Sequence, residues 1–312
     1  MAGDSYYLGY ISRTNSIKAE TKNVYLKKIA IIQQDILKQS IEYILQHPTE
    51  FLIHLNIYAA NTKGRQGSSL GDHTKDIYFA SIMSLFYSNQ SFKEANLPLY
   101  NKWKELHDSV RKPLNDKYKS NIPTDRQKSA HVPFDKIIEI RNKLDISLER
   151  LLLFMYTEIP PVRSDYHKTL LLNGGEILTD NYIDMSKSML VLRKYKTSAK
   201  YGIIYVSLGP VLMKEIRNSL TKQPREYLFV DSAGKPYEIE NSFNKWANRS
   251  LKSIFGLNNM SLSILRHEYV SRRDLMLETK SGAEQQEIAR IMGHSVEQQK
   301  KYMWHAWLNR QE

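Results

Sequence analysis

The sequence predicts a mainly α-helical chain in two domains, with a small β-sheet or hairpin in the C-terminal one. Three observations carry this. Apolar residues recur every three or four positions through the first 120 residues and again after residue 133. A polar, basic tract with almost no large apolar group, DKYKSNIPTDRQKSAHV at 116–132, lies between the two patterned regions. Residues 189–208 read as two strands, MLVLRKY and GIIYVSL, joined by a Lys/Ser-rich turn. A chain of 312 residues is long enough for two cores. The expected boundaries are a helical N-terminal domain at 1–120, a linker at 121–132 and a C-terminal domain at 133–312.

In order, Thr21 can cap a helix carrying Val24, Tyr25, Ile29, Ile32 and Ile36. Pro48 suits the first turn of a helix through Phe51, Leu52, Leu55 and Tyr58. The basic loop NTKGRQGSS follows. Asp72 or Thr74 can cap a helix with Ile77, Phe79, Ile82, Leu85 and Phe86 inward, and a fourth helix runs from Pro98 to Arg111. Pro133 opens a helix through Ile137, Ile138 and Ile140, and another spans Ser147 to Met155. After the two strands, helices dominate apart from the short run Tyr227–Val230.

The charge points to a polyanionic partner. Lys and Arg total 45 against 33 Asp and Glu, a net charge of +12. Residues 1–128 hold 18 basic and 12 acidic residues, and residues 129–312 hold 27 and 21. The excess is shared evenly, so both domains can grip a nucleic acid. The alternative is an evenly basic solvated surface. With no cysteine, disulfides, thiolate zinc sites, iron–sulfur clusters and cysteine nucleophiles are excluded. No apolar run is long enough for a membrane span. The stretch from Met1 to Tyr7 lacks the basic-then-apolar order of a secretion signal. The expectation is an intracellular protein with no membrane partner.

Four local features carry candidate chemistry: Pro160-Pro161-Val162-Arg163-Ser164-Asp165, Tyr195-Lys196-Thr197 at the hairpin tip, Leu265-Arg266-His267, and Gly293-His294-Ser295 followed by Tyr302. Taken singly they read as a surface Arg, a solvated turn Lys, an ion-pairing helix face and a helix cap. Together they fit one reaction. A tyrosine can store a phosphodiester bond as a phosphotyrosine. Two guanidinium forks can bind the nonbridging oxygens of a crowded, highly charged transition state. A Lys on a turn can give the departing oxygen its proton, and a His can donate a hydrogen bond or move a proton. With cations carrying the electrostatics, neither metal nor other cofactor is required.

In this order the motifs resemble the tyrosine recombinase (phage-type integrase) family over about residues 135–305, with wording similar to integrases of viral or mobile-element origin. The N-terminal bundle is similar to that family's core-binding domain by architecture alone. The resemblance implies a clamp around double-stranded DNA, a 3′-phosphotyrosyl intermediate, and homotetramers on DNA from monomers or dimers in solution. It makes Arg163 and Arg266 the phosphate-binding pair, Lys196 the general acid (Lys194 and Lys200 being substitutes), His294 the motif histidine and Tyr302 the nucleophile. Asp165 stands near the family's supporting acidic position, two residues after the Arg rather than three. Where the family commonly has His, three residues before the second Arg, this chain has Ser263, a poor general base. That leaves His267, His294 or no residue to take the Tyr302 proton. The span from Arg266 to His294 is long, with ETKSGAEQQ (278–286) as the expected extra loop.

Phosphate contacts are expected from Lys63, Arg65 and Lys75, from Lys117, Lys119, Arg126 and Lys128, and from Lys194 and Lys200. The helix from Thr74 to Tyr87 is a candidate for groove contacts. The tail from Met303 to Trp307 can pack on its own domain or reach a neighbouring protomer. A type IB topoisomerase and a hairpin telomere resolvase share this residue set. A DNA-binding protein that lost catalysis is the non-enzymatic alternative.

Overall fold

The computed structural model describes residues 2–64, 69–272 and 280–304. The chain forms two compact units, Met1–Ser120 and Asn121–Glu312.

The described part of the first unit is helical: α1 (Ala2–Arg13), α2 (Ala19–Ile31), α3 (Ile41–Gln46), α4 (Pro48–Asn61), α5 (Asp72–Tyr87), α6 (Gln90–Ala95) and α7 (Leu97–Lys119). A π-turn at Ile32–Ile36 extends α2. Local chemistry sets several ends. Pro48 occupies the first turn of α4, and the Ser40 and Asn89 side chains accept from Tyr43 and Phe92 N–H to cap α3 and α6. The core gathers Ile29, Ile32, Phe51, Leu55, Phe79, Ile82, Phe86 and Trp103. Trp103 Nε1 donates to Leu45 O at 2.9 Å, so its one polar atom is satisfied in the interior.

Three helix ends differ from expectation. Helix α2 starts at Ala19, which places Thr21 inside its first turn. Gly71 precedes α5, and no side chain caps it. Helix α7 runs to Lys119 through Pro113, an exposed residue, so water can take the carbonyl that its missing N–H leaves unbonded. Helices α1, α3 and α6 carry no assignment from the sequence.

The second unit opens with α8 (Asp125–Lys128), α9 (Phe134–Lys143) and α10 (Leu148–Thr157). Then come β1 (Leu170–Leu172), β2 (Tyr182–Asp184), β3 (Met189–Leu192), α11 (Ser198–Tyr201) and β4 (Ile204–Ser207). It continues with α12 (Pro210–Lys222), α13 (Glu240–Phe255), α14 (Leu262–Val270), α15 (Gly282–Ile291) and α16 (Val296–Lys300). The four strands form one sheet in the order β1-β2-β3-β4. β1 and β2 are parallel and the other pairs antiparallel, with Ile183 opposite Leu190 and Leu190 opposite Val206. In β4, Ile204 and Val206 are buried while Tyr205 and Ser207 face out. The fold is thus mainly α with a small sheet, as the sequence predicts, although the sheet exceeds a hairpin. Helix α10 is buried from Leu151 to Thr157 and packs against α9, α12, α13 and α14.

The segment expected as a linker packs on this unit: Ala130 and Val132 are buried in its core. The expected extra loop is partly helix. Ser281 and Glu284 form a capping box that opens α15 at Gly282, while Glu278 and Thr279 lie outside the described residues.

Candidate active site

Two of the motifs sit where a helix stops. Helix α10 ends ahead of Pro160-Pro161, because the residue before a proline leaves helical geometry. The chain then turns across the core, and Arg163 emerges half-buried. Two local bonds hold its backbone: the Tyr156 hydroxyl donates to Arg163 O, and Arg163 N–H donates to the Asp165 carboxylate at 3.2 Å. Asp165 is buried, and burial together with Glu240 raises its pKa against the pull of Arg163 and Arg266.

Gly293-His294-Ser295 joins α15 to α16. Gly293 has φ +69°, the left-handed conformation that ends a helix. Gly293 N–H donates to Arg290 O at 2.9 Å and His294 N–H to Ala289 O at 3.0 Å, the two bonds of a Schellman cap. Ser295 then caps α16 by accepting from Gln298 N–H at 3.2 Å. The helix-cap reading of this motif holds, and the cap also positions the site.

The Gly293 carbonyl is the junction. Arg163 Nη1 donates to it at 3.3 Å and Thr197 Oγ1 at 2.8 Å. Thr197 lies in the β3–β4 connection beside Lys196, so the same oxygen anchors the first Arg and the lysine turn. Lys196 itself is exposed, with no ion pair or hydrogen bond among the described residues. Asn181 fixes the base of this connection. Its Oδ1 accepts from Arg193 and Lys194 N–H at 2.8 Å, and its Nδ2 donates to Lys194 O at 2.8 Å and Asp165 O at 3.0 Å.

Arg266 and His267 come from α14, capped by Ser261. Arg266 is 3% exposed. It donates from Nε to Pro161 O and from Nη2 to Met292 O, both at 3.1 Å, and its guanidinium lies 5.0 Å from the Tyr302 ring centroid. Among the described residues two of its five N–H donors are engaged, which leaves three for an oxyanion. Burial pulls its pKa down.

His294 is 4% exposed, and neither ring nitrogen has a hydrogen-bond partner among the described residues. Its ring centroid is 5.4 Å from that of Tyr302. Burial, then the fields of Arg266 and Arg163, push its pKa down to about 3. His267 is committed instead. Its Nδ1 lies 2.8 Å from Tyr302 O and its Nε2 3.2 Å from Gln127 Nε2. Tyr302 follows α16 and is half-buried. The tail beyond it turns inward through Met303 and Trp304, with Trp304 N–H donating to Ser271 Oγ at 2.9 Å. His305 and Trp307 lie outside the described residues.

The structure therefore gathers Arg163, Arg266, His294, Tyr302 and the Lys196 turn around Gly293. Ser263 is exposed on α14 with no hydrogen bond among the described residues. Of the alternatives to Lys196, Lys194 pairs with Asp180 at 2.9 Å, and Lys200 is exposed over the Tyr201 ring at 5.1 Å. Among the expected phosphate contacts, Lys63, Lys117, Lys119 and Arg126 are exposed. Lys75 and Lys128 pair with Asp72 at 3.6 Å and Asp125 at 3.2 Å, surface pairs of little strength. Arg65 lies outside the described residues. Of the groove candidate Thr74–Tyr87, Tyr78, Phe79 and every residue from Ser81 to Phe86 are buried in the first unit's core, while Thr74–Ile77, Ala80 and Tyr87 are not. Sequence reasoning missed Gln127, Asn181 and Ser271, and the anchoring roles of Thr197 and the Gly293 carbonyl. Only Gln127 left a local trace, the Thr-x-x-Gln spacing of a capping box. Among the described residues no group of three or more His, Asp or Glu is placed to hold a metal, and no helix is long and apolar enough to cross a membrane.

No family model and no curated protein sequence matches the chain. Among solved structures it is similar to one described as the crystal structure of XerA recombinase, with 12% sequence identity and a TM-score of 0.43, over 99% of this chain and 97% of that one.

Proposed function

We propose that this protein cleaves and rejoins DNA strands as a tyrosine recombinase, with Tyr302 as nucleophile. The observation that carries the reading is the convergence of two arginines, a histidine whose ring nitrogens have no partner among the described residues, a lysine turn and a tyrosine around the Gly293 turn. In the proposed step the Tyr302 hydroxyl oxygen attacks a backbone phosphorus. The bond from phosphorus to the 5′-oxygen breaks and a 3′-phosphotyrosine remains. Arg163 and Arg266 bind the nonbridging oxygens, where charge develops. Lys196 protonates the departing 5′-oxygen. Attack by a 5′-hydroxyl reverses the step and restores the backbone without ATP.

The Tyr302 proton goes to His294. His267 is unsuited, since its Nδ1 proton is held by Tyr302 O and its Nε2 lone pair faces an amide donor. His294 is a weak base while both guanidiniums face it alone. Phosphate bound between them offsets their field and raises its basicity. The even spread of basic charge supports DNA binding by both units, the first acting as a core-binding domain.

The test is incubation with nicked duplexes, from which the short cleaved strand diffuses away, followed by a denaturing gel and peptide mass spectrometry. A protein–DNA adduct on Tyr302 that is absent in Tyr302→Phe is the expected result. Salt-sensitive binding with no adduct refutes cleavage and points to a binding protein. Product analysis on longer DNA separates recombinants from relaxed circles or hairpins.

A further inference from the structure

The segment ahead of α9 contains a second device, built from polar groups alone. Thr124 and Gln127 form a reciprocal cap. Gln127 N–H donates to Thr124 Oγ1 at 3.3 Å, while Gln127 Oε1 accepts from the Thr124 N–H and hydroxyl, both at 2.9 Å. A backbone N–H can only donate, so Oε1 is fixed on Thr124 and the amide nitrogen points away. That nitrogen lies 3.2 Å from His267 Nε2, 140 residues along the chain. On the other side of the ring, Nδ1 meets Tyr302 O at 2.8 Å. A carbonyl can only accept, so Nδ1 carries the proton. The neutral ring then has a bare Nε2, which the Gln127 amide fills as a donor. A protonated ring would set two donors face to face there.

We propose that Gln127 is a positioning residue for the nucleophile: its amide holds His267 in the neutral Nδ1–H form that ties down the Tyr302 backbone. This rests on the reading of Tyr302 as nucleophile. Other contacts converge on the same segment. Trp304 stacks on His267 with centroids 4.4 Å apart, and Ser271 Oγ accepts from Trp304 N–H at 2.9 Å. The charged and titratable groups nearby are Arg266 and Glu268 on α14, Tyr302 on the tail, and His131, whose Nδ1 lies 2.8 Å from Glu268. Burial and Arg266 keep the ring pKa at about 4, against the upward pull of the Tyr302 carbonyl.

A Gln127→Glu variant of the full chain separates positioning from simple capping. Glu serves the cap as well as Gln but sets an acceptor against His267 Nε2. Nitrogen NMR on histidine-labelled protein should show His267 as the Nδ1–H ring in the wild type from neutral pH down to about pH 5. In Gln127→Glu its titration should move up by about 1–3 units, the effect of an adjacent carboxylate. The pH profile of adduct formation should move with it. Gln127→Met, of similar length but without a donor, should slow adduct formation about three- to tenfold, the rate equivalent of one hydrogen bond, with DNA affinity unchanged. An unmoved His267 titration in Gln127→Glu, or wild-type adduct rates in Gln127→Met, overturns the proposal. If the wild type forms no adduct, the reading of Tyr302 fails, and the NMR titration still decides whether Gln127 sets the ring.

Discussion

Substituting Gly293 by alanine should loosen the site without altering any side chain assigned to the chemistry. At φ +69° a Cβ costs about 1–2 kcal/mol of backbone strain. In a unit of this size that lowers Tm by about 2–8 °C. The new methyl would also lie 3.3 Å from Thr197 Oγ1 and 3.5 Å from both Arg163 Nη1 and Tyr195 Cδ2. Thr197 and Arg163 are the two groups among the described residues that bond the Gly293 carbonyl; Thr197 must give by some tenths of an ångström, while Arg163 meets the methyl at ordinary van der Waals distance. A full ångström of misplacement costs on the order of 10²-fold in rate, so the smaller shift should cost on the order of tenfold. The assay is single-turnover adduct formation on a nicked duplex beside a thermal melt. Gly256→Ala is the control, with φ +66° and nothing among the described residues within 4 Å of its added Cβ. It should show the same loss of Tm with no loss of rate. Wild-type cleavage by Gly293→Ala, or equal slowing by both variants, refutes the junction argument.

Three further outcomes follow from the same geometry. Lys196→Ala should slow cleavage of ordinary DNA, and a sulfur in place of the bridging 5′-oxygen should restore it, because a thiolate leaves without a proton; failure of rescue removes Lys196 as general acid. Arg266→Lys should lose most activity despite keeping the charge, since a lysine cannot span Pro161 O, Met292 O and a phosphate; near-normal single-turnover rates would contradict this. His294 is neutral in the fold, with a pKa depressed to about 3 from 6.5, so its contribution to stability is complete above pH 6.5 and declines as the pH falls. Relative to His294→Asn, the wild type should lose about 1.4 kcal/mol between pH 7.5 and 5.5 in denaturant titrations; a flat difference contradicts a buried neutral ring.

The first and last motifs were legible because each marks a local backbone event. Pro160-Pro161 stops α10, Gly293 ends α15 and Ser295 starts α16, and each leaves a residue type that only that geometry favours. What joins them was not legible. Thr197 meets Gly293 across 96 residues and Gln127 meets His267 across 140, and a single polar contact of that range leaves no periodicity. Strands β1 and β2, three residues each, are too short for alternation to register. Helix α5 buries polar residues beside its apolar ones, because the Ser81 and Ser84 hydroxyls donate to Tyr78 O and Ser81 O at 2.6 Å.

Arg266 shows how the electrostatics of the site depend on its ligand. A buried guanidinium is costly unless compensated. Its direct hydrogen bonds go to neutral carbonyls, Pro161 O and Met292 O. Asp165 attracts it only through space, and burial beside Glu240 pulls that carboxyl toward its neutral form. Arg163 adds a second positive charge nearby. Carbonyl dipoles orient the fork before any substrate arrives, which is the preorganisation that transition-state stabilisation requires. They do not neutralise it. An anion between the two arginines should therefore stabilise the fold as well as bind. Inorganic phosphate at constant ionic strength should raise the Tm of the wild type in proportion to ln(1 + [L]/Kd), and much less that of Arg266→Gln. An equal rise in both would place the anion elsewhere and leave the buried charge compensated within the protein.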